Sequence, residues 1–137
     1  MSLLNVFDIA GSALSAQTIR LNTVASNLAN AETASSRPED VYRSKQPIFQ
    51  TVYSDQLSSN ETAGVRVLEI LEAEGKATQE YNPGHPLADD TGYIYKPAIN
   101  ALSEVANMIS ASRSYQTNVE VMSTAKQLLL RTLALGK

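Results

Sequence analysis

Residues 7–31 read FDIAGSALSAQTIRLNTVASNLANA, and within this stretch Phe7, Leu14, Leu21 and Leu28 recur every seven residues. Ala10, Val24 and Ala31 follow three places after their partners, so one apolar seam runs along a helix for about four heptads. Gln17 is the one polar residue in that seam. Away from it the stretch carries Ser12, Ser15, Thr18, Asn22, Thr23, Ser26, Asn27 and Asn30, where a solitary surface helix would carry Glu, Lys and Arg. Short neutral side chains weaken a helix because they compete for its backbone hydrogen bonds. They can nevertheless be buried more easily than charges, provided each finds a partner. The pattern predicts a helix that is marginal alone and is covered on most of its sides.

The other end of the chain repeats the heptad pattern. Val105, Val119 and Leu133 alternate with Met108, Tyr115, Met122 and Leu129, and Leu102, Ile109 and Leu130 widen the stripe. Ser112, Gln116 and Lys126 interrupt it, and Gly136 is placed to stop the helix. All five prolines lie between Pro38 and Pro97, which leaves both flanks free to be long helices. Charge follows the same boundaries, with 3 charged residues in 1–34, 16 in 35–97 and 6 in 98–137.

The middle alternates with the period of a strand. Gly64–Ile70 and Ala77–Tyr81 flank Glu74-Gly75-Lys76 and predict a β-hairpin. Ile48–Tyr53 is a candidate further strand, Ser54–Ala63 reads as a polar loop, and Asn82-Pro83-Gly84-His85-Pro86 is dense in turn formers. The expected fold is mainly α with a small β insert. Residues 1–34 and 98–137 form one helical domain, an antiparallel coiled-coil hairpin, and 35–97 form the β-rich insert that returns the chain to its starting point.

Composition excludes several functions. With 137 residues the chain supports one architectural unit, and a net charge of −3 without any basic run gives nucleic acid and anionic membranes nothing to bind. No apolar run approaches the ~20 residues needed to cross a bilayer. No basic segment precedes an apolar one at the N-terminus, so no cleavable signal peptide is expected. His85 is the only histidine and there is no cysteine, so neither a transition-metal site nor Ser/His/Asp catalysis has its parts, and His85 reads as a turn residue. The single, scattered glycines form no phosphate loop, and no cofactor is implied. Glu69, Glu72, Glu74 and Glu80 have the chemistry of a glycosidase pair, but their spacing fits the solvated face of a hairpin better. No enzyme is expected. Two long helices and a small insert cannot enclose one another, which points to assembly with further chains.

Three segments resemble the flagellar rod and hook protein family. Ser12-Ala13-Leu14-Ser15-Ala16-Gln17, Arg20-Leu21-Asn22 and above all Ala25-Ser26-Asn27-Leu28-Ala29-Asn30-Ala31 are similar to its N-terminal motif. Met108 to Glu120, with Ser114-Tyr115-Gln116-Thr117-Asn118-Val119, is similar to its C-terminal motif. Tyr81–Tyr95, containing Asn-Pro-Gly-His-Pro-Leu-Ala-Asp, resembles a segment that marks a proximal-rod member. Thr117 and Ala98 depart from the usual residues without touching the seam. The resemblance implies a structural subunit of the basal-body rod in the periplasm, exported by the flagellar type III apparatus and polymerising with other rod subunits and copies of itself. It assigns helix pairing and subunit contacts to Leu14, Leu21, Asn27, Leu28, Asn30, Tyr115 and Asn118, to which the seam adds Met122 and Leu129. In the assembled rod, Asn27 is expected to be buried and hydrogen-bonded to backbone or side-chain groups of a neighbouring helix. The rival readings are a cytoplasmic coiled-coil adaptor or export chaperone, and a wall-cleaving enzyme using Glu69 or Glu72.

Overall fold

The proline-free flanks are the two helices of a computed structural model, which describes residues 3–53 and 63–135. Helix α1 spans Leu3–Asn30, and helix α2 spans Ala101–Leu135. At 1.5 Å per residue they extend about 42 and 52 Å. Asn100 caps α2, its Oδ1 accepting from the Ser103 amide at 3.1 Å, and Glu104 lies in the first turn, where the helix dipole favours a carboxylate. Between the helices come a 3₁₀ turn, Pro38–Asp40, and four strands: β1 Lys45–Tyr53, β2 Ala63–Glu72, β3 Thr78–Tyr81 and β4 Tyr93–Lys96. The stretch expected as a polar loop lies outside the described residues except for Ala63, which opens β2, and so does Gly136.

Strand pairing differs from the expectation. β2 does not fold back on β3 across Glu74-Gly75-Lys76; it pairs with β1, and β3 pairs antiparallel with β4. Alternation with period two marks a strand and not its partner, so no local signal could choose β3 over β1 for β2. Among the described residues only Gly92, in the turn between β3 and β4, has a positive φ, at 83°.

The chain divides into two compact units, and each helix contributes to both. One comprises Met1–Leu21, Pro47–Glu69 and Ile109–Lys137. Here Ala10, Ala16, Ala111 and Ala125 are buried, and a Cβ placed on Gly11 would lie 3.8 Å from Cε of Met122. Ser12 Oγ donates to the Ile9 carbonyl at 2.8 Å and accepts from the Val65 amide at 3.1 Å, so the ribbon is seated on α1 by a serine. Gly64 makes that approach feasible, since a Cβ there would meet Ser12 Oγ at 3.2 Å.

The second unit comprises Asn22–Gln46 and Ile70–Met108. Its core holds Val24, Ala31, Val41 and Ile94, the last 1% exposed. Ser35 exchanges both backbone hydrogen bonds with Tyr95, at 2.8 and 3.0 Å, which extends the β3–β4 sheet by one bridge. The Tyr81 and Tyr93 rings pack edge to face with centroids 5.2 Å apart.

Candidate assembly interface

The first helix uses its neutral polar residues as sockets for its own middle segment. Asn27 is 2% exposed, and its amide group is fully satisfied within the chain. Its Nδ2 donates to the Lys45 carbonyl and to Glu104 Oε2, each at 2.9 Å. Its Oδ1 accepts from the Lys45 amide at 2.8 Å and from the Tyr42 hydroxyl at 3.0 Å. Ser26 meets the same hydroxyl at 3.0 Å. Within the chain, these partners lie on the second helix, at Glu104, and on the segment at Tyr42 and Lys45. Polar groups of the returning backbone near Lys45 needed a double donor and double acceptor on the helix, and Asn is the short side chain that offers both.

The remaining residues singled out by the sequence divide. Leu14, Leu21 and Leu28 are half-buried, and so are Asn118, Met122 and Leu129. Asn30 and Asn118 each turn their Nδ2 back on a carbonyl four residues earlier, Ser26 and Ser114, at 2.8 Å. Tyr115 is exposed. Along α2 the expected line Val105, Val119 and Leu133 is exposed, Leu133 at 68%. The covered line lies one residue earlier, at Glu104, Ala111, Asn118 and Ala125, with Met108, Met122 and Leu129 beside it. Ranking positions by bulk points at the leucines and valines, whereas the residues that disappear from solvent are alanines. The spacing of seven through Glu104, Ala111, Asn118 and Ala125 was the available signal.

Of the two helices it is α2 that carries uncovered large apolar side chains, with Leu102, Val105, Ile109, Val119, Val121, Leu128, Leu130, Leu133 and Leu135 exposed. On α1 only Asp8, Ser15, Thr18, Asn22, Ala25 and Ala29 are exposed among residues 5–30. One helix is wrapped by its own chain and the other offers an apolar surface.

Charges tie down the loops. Lys96 Nζ lies 2.8 Å from Glu80 and 3.6 Å from Glu32, and the hydrogen bond to Glu80 is the main cause holding its ammonium above the usual lysine range. Asp89 Oδ1 accepts from the Thr91 hydroxyl, the Thr91 amide and the Tyr93 amide at 2.7 to 2.9 Å. The Thr91 hydroxyl, then the Tyr93 amide, hold its carboxyl below the usual range. His85 Nδ1 accepts from the Leu87 amide at 3.1 Å, within the turn. Glu69 and Glu72 are exposed, with Glu72 3.8 Å from Lys45. Among the described residues no group of three His, Cys, Asp or Glu gathers as a metal site, and no helix is long and apolar enough to cross a membrane.

Two family profiles match the chain: "Flagella basal body rod protein" over residues 7–34, and "Flagellar basal body rod FlgEFG protein C-terminal" over 90–135. The flagellar basal-body rod protein FlgC of Salmonella typhimurium strain LT2 is 47% identical over the full length of both chains. FlgC of Yersinia enterocolitica is 50% identical and FlgC of Escherichia coli O157:H7 is 47% identical, again over full length.

Proposed function

The chain belongs to the FlgC family of flagellar basal-body rod proteins, and from that premise we propose how it assembles. It is a structural rod subunit and not an enzyme. The adaptor or chaperone reading has no support among its relatives. It is exported through the flagellar type III apparatus without a cleaved signal and takes its place in the periplasmic, proximal part of the rod beside other rod subunits.

The assembly domain consists of residues 1–34 and 98–137 as an antiparallel coiled-coil hairpin, with 35–97 as the insert. Two contacts support this pairing, Gly11 beside Met122 in one unit and Asn27 bonded to Glu104 in the other. Leu14, Leu21, Leu28, Met122 and Leu129 pair the helices; Asn27, Asn30 and Asn118 fix their ends and local shape; Tyr115 reaches neighbouring subunits. The observation that carries the proposal is the apolar surface left open on α2, because exposed leucines and valines in that number mark an interface.

Charged substitutions on that surface test it. Ile109→Lys and Leu130→Lys should leave export intact and abolish incorporation into isolated basal bodies; normal incorporation would reject the proposal. A Gly11→Cys/Met122→Cys pair should form an intrachain disulfide, and preferential linkage of Leu28→Cys to Leu130→Cys would rule out the antiparallel arrangement.

A further inference from the structure

We infer that Asn27 is a positioning residue whose carboxamide takes the place of a third strand beside β1, and so fixes the one register in which the chain returns to α1. This rests on the reading of the chain as a rod subunit and specifies which contact sets the shape that is assembled. In a β-strand the N–H and C=O of one residue point to one edge, and those of the next residue point to the other. Just before β1, the Ser44 carbonyl accepts from the Ala73 amide just after β2, at 2.8 Å, so Ser44 points towards the partner strand. Both backbone groups of Lys45 therefore point away from it, and both meet Asn27. The Lys45 amide donates to Asn27 Oδ1 at 2.8 Å, and Asn27 Nδ2 donates to the Lys45 carbonyl at 2.9 Å. That reciprocal pair is what a residue of a neighbouring strand makes. Here a helix side chain makes it, 2% exposed, at an edge that would otherwise need water or another strand.

The surroundings admit a single register. The Tyr42 hydroxyl donates to the same Oδ1 at 3.0 Å, and Glu104 Oε2 accepts from the same Nδ2 at 2.9 Å, so the amide oxygen faces donors and its nitrogen faces acceptors. A slip of one residue would offer Asn27 the backbone of Ser44 or Gln46, whose groups point to the other edge. A slip of two would offer Arg43 or Pro47; proline has no N–H to give, and either slip takes the Tyr42 hydroxyl off Oδ1. The Lys45 side chain agrees with this register, its Nζ lying 3.8 Å from Glu72 and 5.8 Å over the Tyr42 ring. A one-residue slip would also carry every following side chain of β1 to the opposite face. The surface that the strand presents to neighbouring subunits thus depends on this pair of bonds.

The competing role is a plain tie between the helices through Glu104, and exchanging the two groups separates the two roles. Asn27→Asp combined with Glu104→Gln keeps a donor and an acceptor between the helices, in reverse order, and keeps an acceptor for the Lys45 amide. It sets a carboxylate oxygen against the Lys45 carbonyl in place of a donor.

In the free full-length subunit this double variant should speed amide exchange at Lys45 at least tenfold. The Ser35 and Tyr95 amides, each bonded to the other's carbonyl in the same unit, should keep their protection. Incorporation into basal bodies should fall at least tenfold below that of Glu104→Gln alone, in which the asparagine stays on Lys45. Unchanged exchange at Lys45, incorporation equal to that of Glu104→Gln, or a loss of protection that extends to Ser35 and Tyr95 would overturn the inference and leave the rod assignment standing. Absence of the unaltered chain from basal bodies would instead overturn the rod assignment itself.

Discussion

Asn27 on the first helix and Glu104 on the second are joined by a 2.9 Å hydrogen bond, and the same asparagine holds Lys45 and Tyr42 of the segment between them. Four groups from two other parts of the chain converge on one side chain that is 2% exposed. Within the subunit it ties the second helix and the Tyr42–Lys45 segment to the first helix.

Replacing Asn27 with Ala should destabilise the isolated subunit by roughly 1 to 3 kcal/mol, because the Lys45 backbone and the Glu104 carboxylate lose their partner in a buried place. Glu104→Gln retains an acceptor and should be milder. Urea unfolding of the two variants checks the order, and an Asn27→Ala subunit as stable as the wild type would show that these bonds contribute nothing.

Gln17 has its Oε1 buried without a hydrogen-bond partner among the described residues. A buried unmet acceptor is destabilising, and methionine has a similar length without the polar atoms. Gln17→Met should stabilise the free subunit by about 1 kcal/mol, visible as a higher melting temperature; a lower one would mean that the amide is satisfied in solution.

Two glycines should respond oppositely to alanine. Gly92 is at φ 83°, and a Cβ would lie 2.9 Å from Tyr81 Cε2 and 3.2 Å from Pro83 Cβ, so Gly92→Ala should cost about 1 to 2 kcal/mol from backbone strain before any clash is counted. Gly11 is mid-helix with ordinary clearance from Met122, and Gly11→Ala should gain about 0.5 to 1 kcal/mol. Hydrogen exchange at the Asn82 amide, which donates to the Gly92 carbonyl, reports the first change, and helix protection reports the second.

The turn between β3 and β4 should loosen in acid. Asp89 has a carboxyl pKa lowered by Thr91 and Tyr93, so its contribution is present above the ordinary carboxylate value of 3.8 and is lost as pH falls through the depressed one. Lys96 is the reverse case: raised by Glu80, its contribution is complete below 10.5 and lost as pH rises through the folded value. Amide exchange at Thr91 and Tyr93, corrected for intrinsic rates, should show the acid loss, and Asp89→Asn should abolish that pH dependence.

Features written in local chemistry were legible in the chain. Prolines confined to the middle and heptads on both flanks determine two long helices, because a helix needs only a 3.6-residue period and freedom from proline. The dense turn formers after Tyr81 mark the bend that Gly92 completes, and the motif around Asn27 announces both the family and a buried polar position. Tertiary structure decided the rest. Ile48–Tyr53, Gly64–Ile70 and Ala77–Tyr81 all alternate with period two, so alternation alone cannot choose partners among them. Packing also fixed the seat of the ribbon, where Ser12 accepts from the Val65 amide. The covered line of α2 was likewise settled by packing: Ala111 and Ala125 are buried while larger residues remain in solvent, because burial depends on what the opposite surface admits and not on the apolarity of the residue alone. The neutral face of α1 signalled that something covers it, and only the folded chain showed that much of the covering is its own middle segment.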